Sequence, residues 1–196
     1  MTYDISVVTA VGDLNPGYLQ QACASLESVP ELKIQWILSI DAPAVSEKDV
    51  TKSLRSQPFS KIKPAIVKHD FGYQAGPGTA RNKALAVARA EHVFILDADD
   101  TVNPDGLVKL WQAAQQSAAA WTAGRCDDID ERGNHLWSGP PDPWEHGPIQ
   151  RGSYLAKTIL ENGPPIVNNA CLITTSALKH AGGWPQDFAG QAEDTA

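Results

Sequence analysis

Four apolar residues, Val93-Phe94-Ile95-Leu96, run straight into three acids within Asp97-Ala98-Asp99-Asp100, and this junction leaves the chain few folds to choose from. A short, continuous apolar run suits a strand covered on both faces rather than one. In an open α/β sheet the carboxyl end of such a strand is where ligands bind. Acids crowded there repel one another unless something positive joins them. Mg²⁺ and Mn²⁺ are hard ions that take oxygen ligands, and an ion held by only one or two carboxylates also holds substrate phosphates. The plainer alternative treats the acids as a prelude to the helix that Asn103-Pro104 begins, where negative charge suits the helix dipole. That accounts for one acid more easily than for three.

The rest of the chain supplies partners for that strand. Ile5 to Val11 is nearly continuous in apolar character, and Ile34, Trp36, Leu38 and Ile40 lead to Asp41. Asn15-Pro16 opens a helix whose Leu19, Ala22, Cys23, Leu26 and Val29 fall on one stripe. A weaker helix is expected from Ser46 to Ser56, and a strand from Ile62 to Val67 in which Pro64 marks an edge. Another helix is expected from Thr79 to Ala90, and one after Asn103-Pro104 carries Leu107, Leu110, Trp111 and Ala114. Strands alternating with helices predict a doubly wound, mostly parallel α/β sheet.

Beyond residue 120 the pattern loosens. Trp121 to Asp127 and His135 to Ser138 are expected to pair around Glu131-Arg132-Gly133-Asn134. Gly139 to Pro148, with four prolines, reads as a loop. A helix near Ser153 to Glu161, a strand over Ala170 to Thr174 and the turn Gly182-Gly183-Trp184 complete the order, as a small mixed-strand portion.

Composition excludes several classes. A net charge of −7 argues against duplex nucleic acid as a partner. No stretch of 18 apolar residues is present, so no transmembrane segment is expected, and Met-Thr-Tyr-Asp lacks the features of a signal peptide. The expected setting is cytoplasmic, with peripheral membrane association as the alternative. Cys23, Cys126 and Cys171 form no CxxC pair and read as ordinary thiols of a reducing compartment. His69, His92, His135, His146 and His180 lack paired ligand spacing; His146, beside Trp144 and Glu145, is the one placed for an acceptor or phosphate contact. Trp137, Trp144 and Trp184, near Gly and Pro, either stack on a sugar ring or pin loops.

Two further constellations carry chemistry. Gly76-Pro77-Gly78-Thr79-Ala80-Arg81-Asn82 stands at the mouth of the helix before the acidic strand. Glycine lets backbone approach a ligand, a helix start presents free N–H groups, and Arg81 suits phosphate. Read blandly, it is a helix start with a solvated arginine. Glu193-Asp194 near the end supplies carboxylates of the kind that deprotonate an acceptor hydroxyl, although acids near a chain end are usually surface.

In this order and spacing, the apolar first strand, the acid-ended second strand, Gly-x-x-x-Ala-Arg-Asn, Asp-x-Asp-Asp, Gly-Gly-Trp and Glu-Asp resemble the family-2 inverting glycosyltransferases with the GT-A fold. The resemblance implies one domain, with residues 1–118 as its nucleotide-sugar half and residues 119–196 as its acceptor-side half, cut short after Glu193-Asp194. It implies Mn²⁺ or Mg²⁺ on Asp99, with Asp97 near the ribose or the ion's water shell and Asp100 in support. It places the nucleotide against Thr9, Ala10, Val11, Asp41, Gly76, Arg81, Asp97, Ala98 and Asp99, with Asp41 at the uracil or ribose. Asp194 is implied as catalytic base, with Glu193 and Trp184 supporting. The implied reaction moves a hexose or N-acetylhexosamine from a UDP-sugar to an acceptor hydroxyl, the acceptor being a glycan, a lipid-linked sugar or a small molecule. The chain departs from the family where Thr9-Ala10-Val11-Gly12-Asp13 replaces the usual Pro-Thr-Tyr-Asn, and where Asp41-Ala42-Pro43 leaves a single acid after strand two.

Three rivals remain at this level. Asp97-x-Asp99-x-Thr101 also resembles the haloacid-dehalogenase phosphatase motif, with Asp97 as nucleophile and Lys157 or Lys179 as the later lysine. A sugar-phosphate nucleotidyltransferase would want a basic glycine-rich loop where Val11-Gly12-Asp13-Leu14 stands. The third is a nucleotide-sugar-binding domain without turnover.

Overall fold

The structure is a computed structural model, and it describes residues 2–55, 62–69, 72–117, 119–130, 132–139 and 168–186. Its elements run β1 (Ile5–Val11), α1 (Pro16–Glu27), β2 (Ile34–Ile40), α2 (Glu47–Leu54), β3 (Ala65–Lys68), α3 (Pro77–Val87), β4 (His92–Ile95), α4 (Pro104–Gln116), β5 (Trp121–Ala123), β6 (Cys126–Ile129), β7 (His135–Gly139), a 3₁₀ turn (Asn168–Ala170), β8 (Cys171–Thr174) and α5 (Thr175–His180). The main sheet has the order β3-β2-β1-β4-β8-β5, and β6 and β7 form a separate hairpin. The first four strands in that order are parallel, whereas β8 lies antiparallel to β4 and β5 antiparallel to β8. Together these describe the expected doubly wound, mostly parallel sheet with a mixed edge.

Residue parity divides the core. Ile5, Val7 and Val11 of β1 join Trp36, Leu38 and Ile40 of β2 and Phe94 of β4 under α1, α2 and α4. Val8, Ile37, Val93 and Ile95 turn the other way, against Ala84 and Leu85 of α3, Leu178 of α5 and Trp184. Burial on both faces explains why these strands read as continuous apolar runs. Each fully buried aliphatic side chain contributes about 1.5–3 kcal/mol, so the sheet is the stable platform on which the strand-end loops sit.

The helix starts follow local chemistry. Asn15 accepts from the Gly17 and Tyr18 amides at α1, and Asn103 accepts from Gly106 at α4, each with proline in the first turn. Ser46 and Asp49 form a capping box at α2. No side chain of its own caps α3, whose first flanking residue is Gly76 at φ +97°.

Some boundaries differ from expectation. β3 begins only at Ala65, after Pro64, and it is an edge strand as that proline suggests. α3 starts at Pro77 rather than Thr79 and ends at Val87. The expected strand from Trp121 to Asp127 is two strands, because the chain leaves the main sheet at residues 124–125. β5 pairs with β8, and only β6 pairs with β7. α5 was not anticipated; Thr174 caps it through the Ala177 amide. Of the loop expected from Gly139 to Pro148, Gly139 instead ends β7, and residues 140–148, like the helix expected at 153–161, lie outside the described residues. Cys23 and Cys171 are buried, all the cysteines are unbridged, and burial pushes these two thiols up to about 11 and about 12. Among the described residues no helix is long and apolar enough to cross a membrane.

Candidate functional site

The carboxyl ends of β1, β2 and β4 open onto a cleft of about 520 Å³. That volume lies within the roughly 300–1,000 Å³ of ordinary small-molecule sites. Its walls come from the last two residues of β1 and residues 12–15 after it, from Tyr18 and Leu19 in the first turn of α1, from Asp41 after β2, from Gln74, Pro77 and Arg81 around the start of α3, and from Asp97, Ala98 and Asp99 after β4. Parallel strands deliver all these loops to one edge because every crossover returns the chain to the same end of the sheet.

Arg81 and Asp97 form the floor. Arg81 is only 3 % exposed, and its Nη2 donates to Asp97 Oδ1 at 2.9 Å. The other Asp97 oxygen accepts from Asn169 Nδ2 at 3.1 Å, and the same amide nitrogen donates to Asp100 Oδ2. One neutral donor thus stands between two carboxylates and relieves their repulsion. The Asn169 Oδ1 atom is buried with no hydrogen-bond partner. Asp99 differs from both neighbours: it is exposed, and no hydrogen bond or ion pair holds it among the described residues. Asp100 is half-buried, and its carboxyl is pushed up to about 6, first by burial and then by the charges of Asp97 and Asp99, against the pull of the Asn169 amide.

Asp41 is 3 % exposed and accepts from the Ala75 amide through Oδ1 at 2.9 Å and from the Gly76 amide through Oδ2 at 2.7 Å. Ala10, Val11, Asp41, Arg81, Asp97, Ala98 and Asp99 therefore meet at the cleft as the sequence reading expects. Gly76 stands behind Asp41 rather than in the wall. Thr9 is not brought there: it is fully buried, and its Oγ1 accepts from Trp36 Nε1 at 3.0 Å. Thr9 lies two residues short of the end of β1 on the face covered by α1, whereas Val11, on the same face, reaches the cleft because the strand ends there. Trp184 is 6 % exposed and belongs to the buried cluster under α3 and α5, so it pins a loop and offers no face to a sugar. Glu193 and Asp194 lie outside the described residues, as do Trp144, His146 and Lys157. Sequence reasoning missed Asn169, Tyr18 and Gln74. Tyr18, an aromatic side chain in the first turn of a helix that opens at a strand end, carried a usable signal; Asn169 carried none.

The turn at Gly182-Gly183-Trp184 docks against α3. Asn82 Nδ2 donates to the Trp184 carbonyl at 2.7 Å, and the Trp184 amide returns a bond to Asn82 Oδ1 at 2.8 Å. Gly183 sits at φ +80°, and a Cβ there would fall 2.1 Å from Asn82 Oδ1. Only glycine fits.

A sequence model of glycosyl transferase family 2 matches residues 7–181. The chain belongs to glycosyl transferase family 2. It is 29 % identical over 163 residues to an uncharacterized glycosyltransferase of Nostoc sp., covering 83 % of this chain and 46 % of that protein. Among solved structures, S. aureus TarS 1–349 in complex with UDP superposes with a TM-score of 0.68 at 18 % identity, over 98 % of this chain and 53 % of that one. The mannosyltransferase PcManGT of Pyrobaculum calidifontis, in complex with GDP-Man and Mn²⁺, gives 0.59 at 17 % identity, over 98 % and 50 %. The family-2 chain thus has the GT-A fold and spans about half the length of these relatives. The phosphatase alternative also meets a geometric obstacle. Both Asp97 oxygens are engaged, by Arg81 and by Asn169, so neither is a free nucleophile. Lys179 is exposed on α5 and lines no part of the cleft.

Proposed function

We propose that this chain transfers a hexose or N-acetylhexosamine from a UDP-sugar to an acceptor hydroxyl, with inversion and with Mn²⁺ or Mg²⁺. The observation that carries the proposal is the charge balance of the cleft. Asp13, Asp41, Asp97 and Asp99 line it, and Arg81 is the one cation among the described residues that line it. Two like charges 4 Å apart repel by about 1 kcal/mol in bulk water and about 4 kcal/mol near a protein surface. A diphosphate therefore needs a cation to enter, and the free Asp99 carboxylate is a hard oxygen donor suited to one. Asp99 holds that ion in this reading, while Asp97, fixed by Arg81 and Asn169, faces the ribose or the ion's water. When bound, a divalent ion neutralises charge developing on the departing nucleoside diphosphate.

Asp194 is the proposed base, with Glu193 beside it, taking the acceptor proton as the oxygen attacks the anomeric carbon. One displacement then inverts that carbon without a covalent enzyme intermediate. Residues 1–118 form the donor half in this proposal, and residues 119–196 contribute to the acceptor side. UDP on TarS supports uridine as the base, and Mn²⁺ with GDP-Man on PcManGT supports a divalent ion.

The test is calorimetric titration of UDP with Mn²⁺ and again with EDTA, on the native chain and on Asp99→Asn. Binding should require Mn²⁺ and fall about 100-fold or more in the variant, at the upper end of losses seen when a metal site is damaged. Equal binding in EDTA would remove the metal from the donor site. UDP binding without turnover on any acceptor would favour a binding domain.

A further inference from the structure

We infer that Asp41 is a positioning residue that clamps the start of α3, and that it does not read the nucleobase. The inference rests on the donor-cleft reading above and deepens it.

The backbone of Asp41 is set by the sheet. Its amide donates to the Val11 carbonyl at 2.9 Å, extending the β1–β2 ladder beyond the last paired residues. From that fixed point the carboxylate spans to residues 75 and 76. Both of its oxygens receive a backbone N–H, at 2.9 and 2.7 Å, the range of charge-assisted bonds. The segment it grips has no side-chain cap of its own. Gly76 stands at φ +97°, and Pro77 has no N–H to contribute. Asn15 and Asn103 hold their own helices from the adjacent position, whereas α3 is held from another strand, 35 residues upstream of Gly76.

A base-reading carboxylate must turn an oxygen toward the ligand. Asp41, at 3 % exposure with both oxygens taken, has little surface to offer. A nucleobase N–H would have to approach a lone pair that the Ala75 and Gly76 amides leave unused, and the burial of the carboxylate leaves little room for that approach. The clamp has a clear consequence instead. Gly76 lies just over one turn before Arg81, so fixing it aims α3 and brings Arg81 onto Asp97. Gln74 Nε2 reaches the Gly12 carbonyl at 3.3 Å and ties the same segment to the end of β1.

Amide hydrogen exchange on the native chain, with and without UDP and Mn²⁺, tests this without any variant. The Ala75 and Gly76 amides should remain protected, or gain protection, when UDP binds; their release on binding would overturn the clamp. The second arm titrates UDP, GDP and CDP into Asp41→Asn in the presence of Mn²⁺, at a temperature where circular dichroism shows it folded. Affinity should fall by roughly tenfold for each nucleotide that binds the native chain, with their ratios kept within about twofold, a uniform shift rather than a change of preference. The Mn²⁺ concentration for half-maximal UDP binding should rise, because Asp97 loses its alignment, and the amides at 75 and 76 should exchange faster than in the native chain. A loss confined to uridine nucleotides would make Asp41 a base reader, and unchanged exchange at 75 and 76 in the variant would also sink the clamp. If the native chain binds none of the three nucleotides, the donor-cleft reading fails, while the exchange comparison still decides what Asp41 holds.

Discussion

Asp100 is half-buried beside Asp97 and Asp99, and its carboxyl is pushed up to about 6. Because the folded chain holds this proton more tightly than the unfolded chain, stability from the group is complete below about pH 4, the unfolded carboxylate range, and is lost as pH rises through 6. Asp100→Asn keeps an acceptor for Asn169 and removes the charge. The metal-free variant should therefore melt above the native chain at pH 7.5 and level with it at pH 4. Discounted for the solvent that reaches this group, the gain is about 1 kcal/mol, or about 2–4 °C in a chain of this size. Equal melting at pH 7.5 would mean that Asp100 is not strained by its neighbours. At this scale the acids and Arg81 were legible because charged residues at a strand end declare themselves. Asn169 was not, since an uncharged amide 72 residues beyond Asp97 matches no pattern until the fold brings it there. Thr9 misled for the opposite reason: it belongs to the right strand, but two residues short of the strand end it stays inside, bonded to Trp36.

At the level of elements, the joint between α3 and the glycine turn is the most demanding contact. Gly183→Ala must place a Cβ against Asn82 Oδ1 from a left-handed backbone. The expected cost is roughly 2–4 kcal/mol, combining the conformational penalty with loss of a buried amide pair. Asn82→Ala should cost about 1–3 kcal/mol, because the Trp184 amide and carbonyl lose their partners. Urea unfolding of both single variants and the double variant checks this. The double variant should lose less than the sum, since both changes break one contact, and full additivity would mean that the two residues act separately. Strands β1 and β2 and the capped helices were legible from apolar runs and Asn-Pro starts. The break between β5 and β6 and the helix α5 were not: β5 is three residues long and α5 six, too short for any period to show. Where β5 pairs is fixed by β8, across a sequence separation that no local signal encodes.

For the whole molecule, donor binding and turnover should separate. The cleft described here is built from residues 10–99, steadied by Asn169, whereas the proposed base lies at Asp194. Asp194→Asn should leave UDP affinity within about twofold and reduce transfer by about 10²–10⁴-fold, the usual contribution of general base catalysis. Calorimetry and a coupled assay for UDP release would measure both, and undiminished transfer would place the base elsewhere. The parallel architecture followed from strand and helix alternation, but the antiparallel arrival of β8 did not. That arrival has a practical consequence. Asp97 is gripped by Arg81 from 16 residues before it and by Asn169 from 72 residues after it. On the proposed donor reading, nucleotide affinity is thus also a gauge of whether β8 has joined the sheet. A substitution at Leu172, fully buried in β8 and outside the cleft, would register in a binding assay as though it had struck the donor site itself.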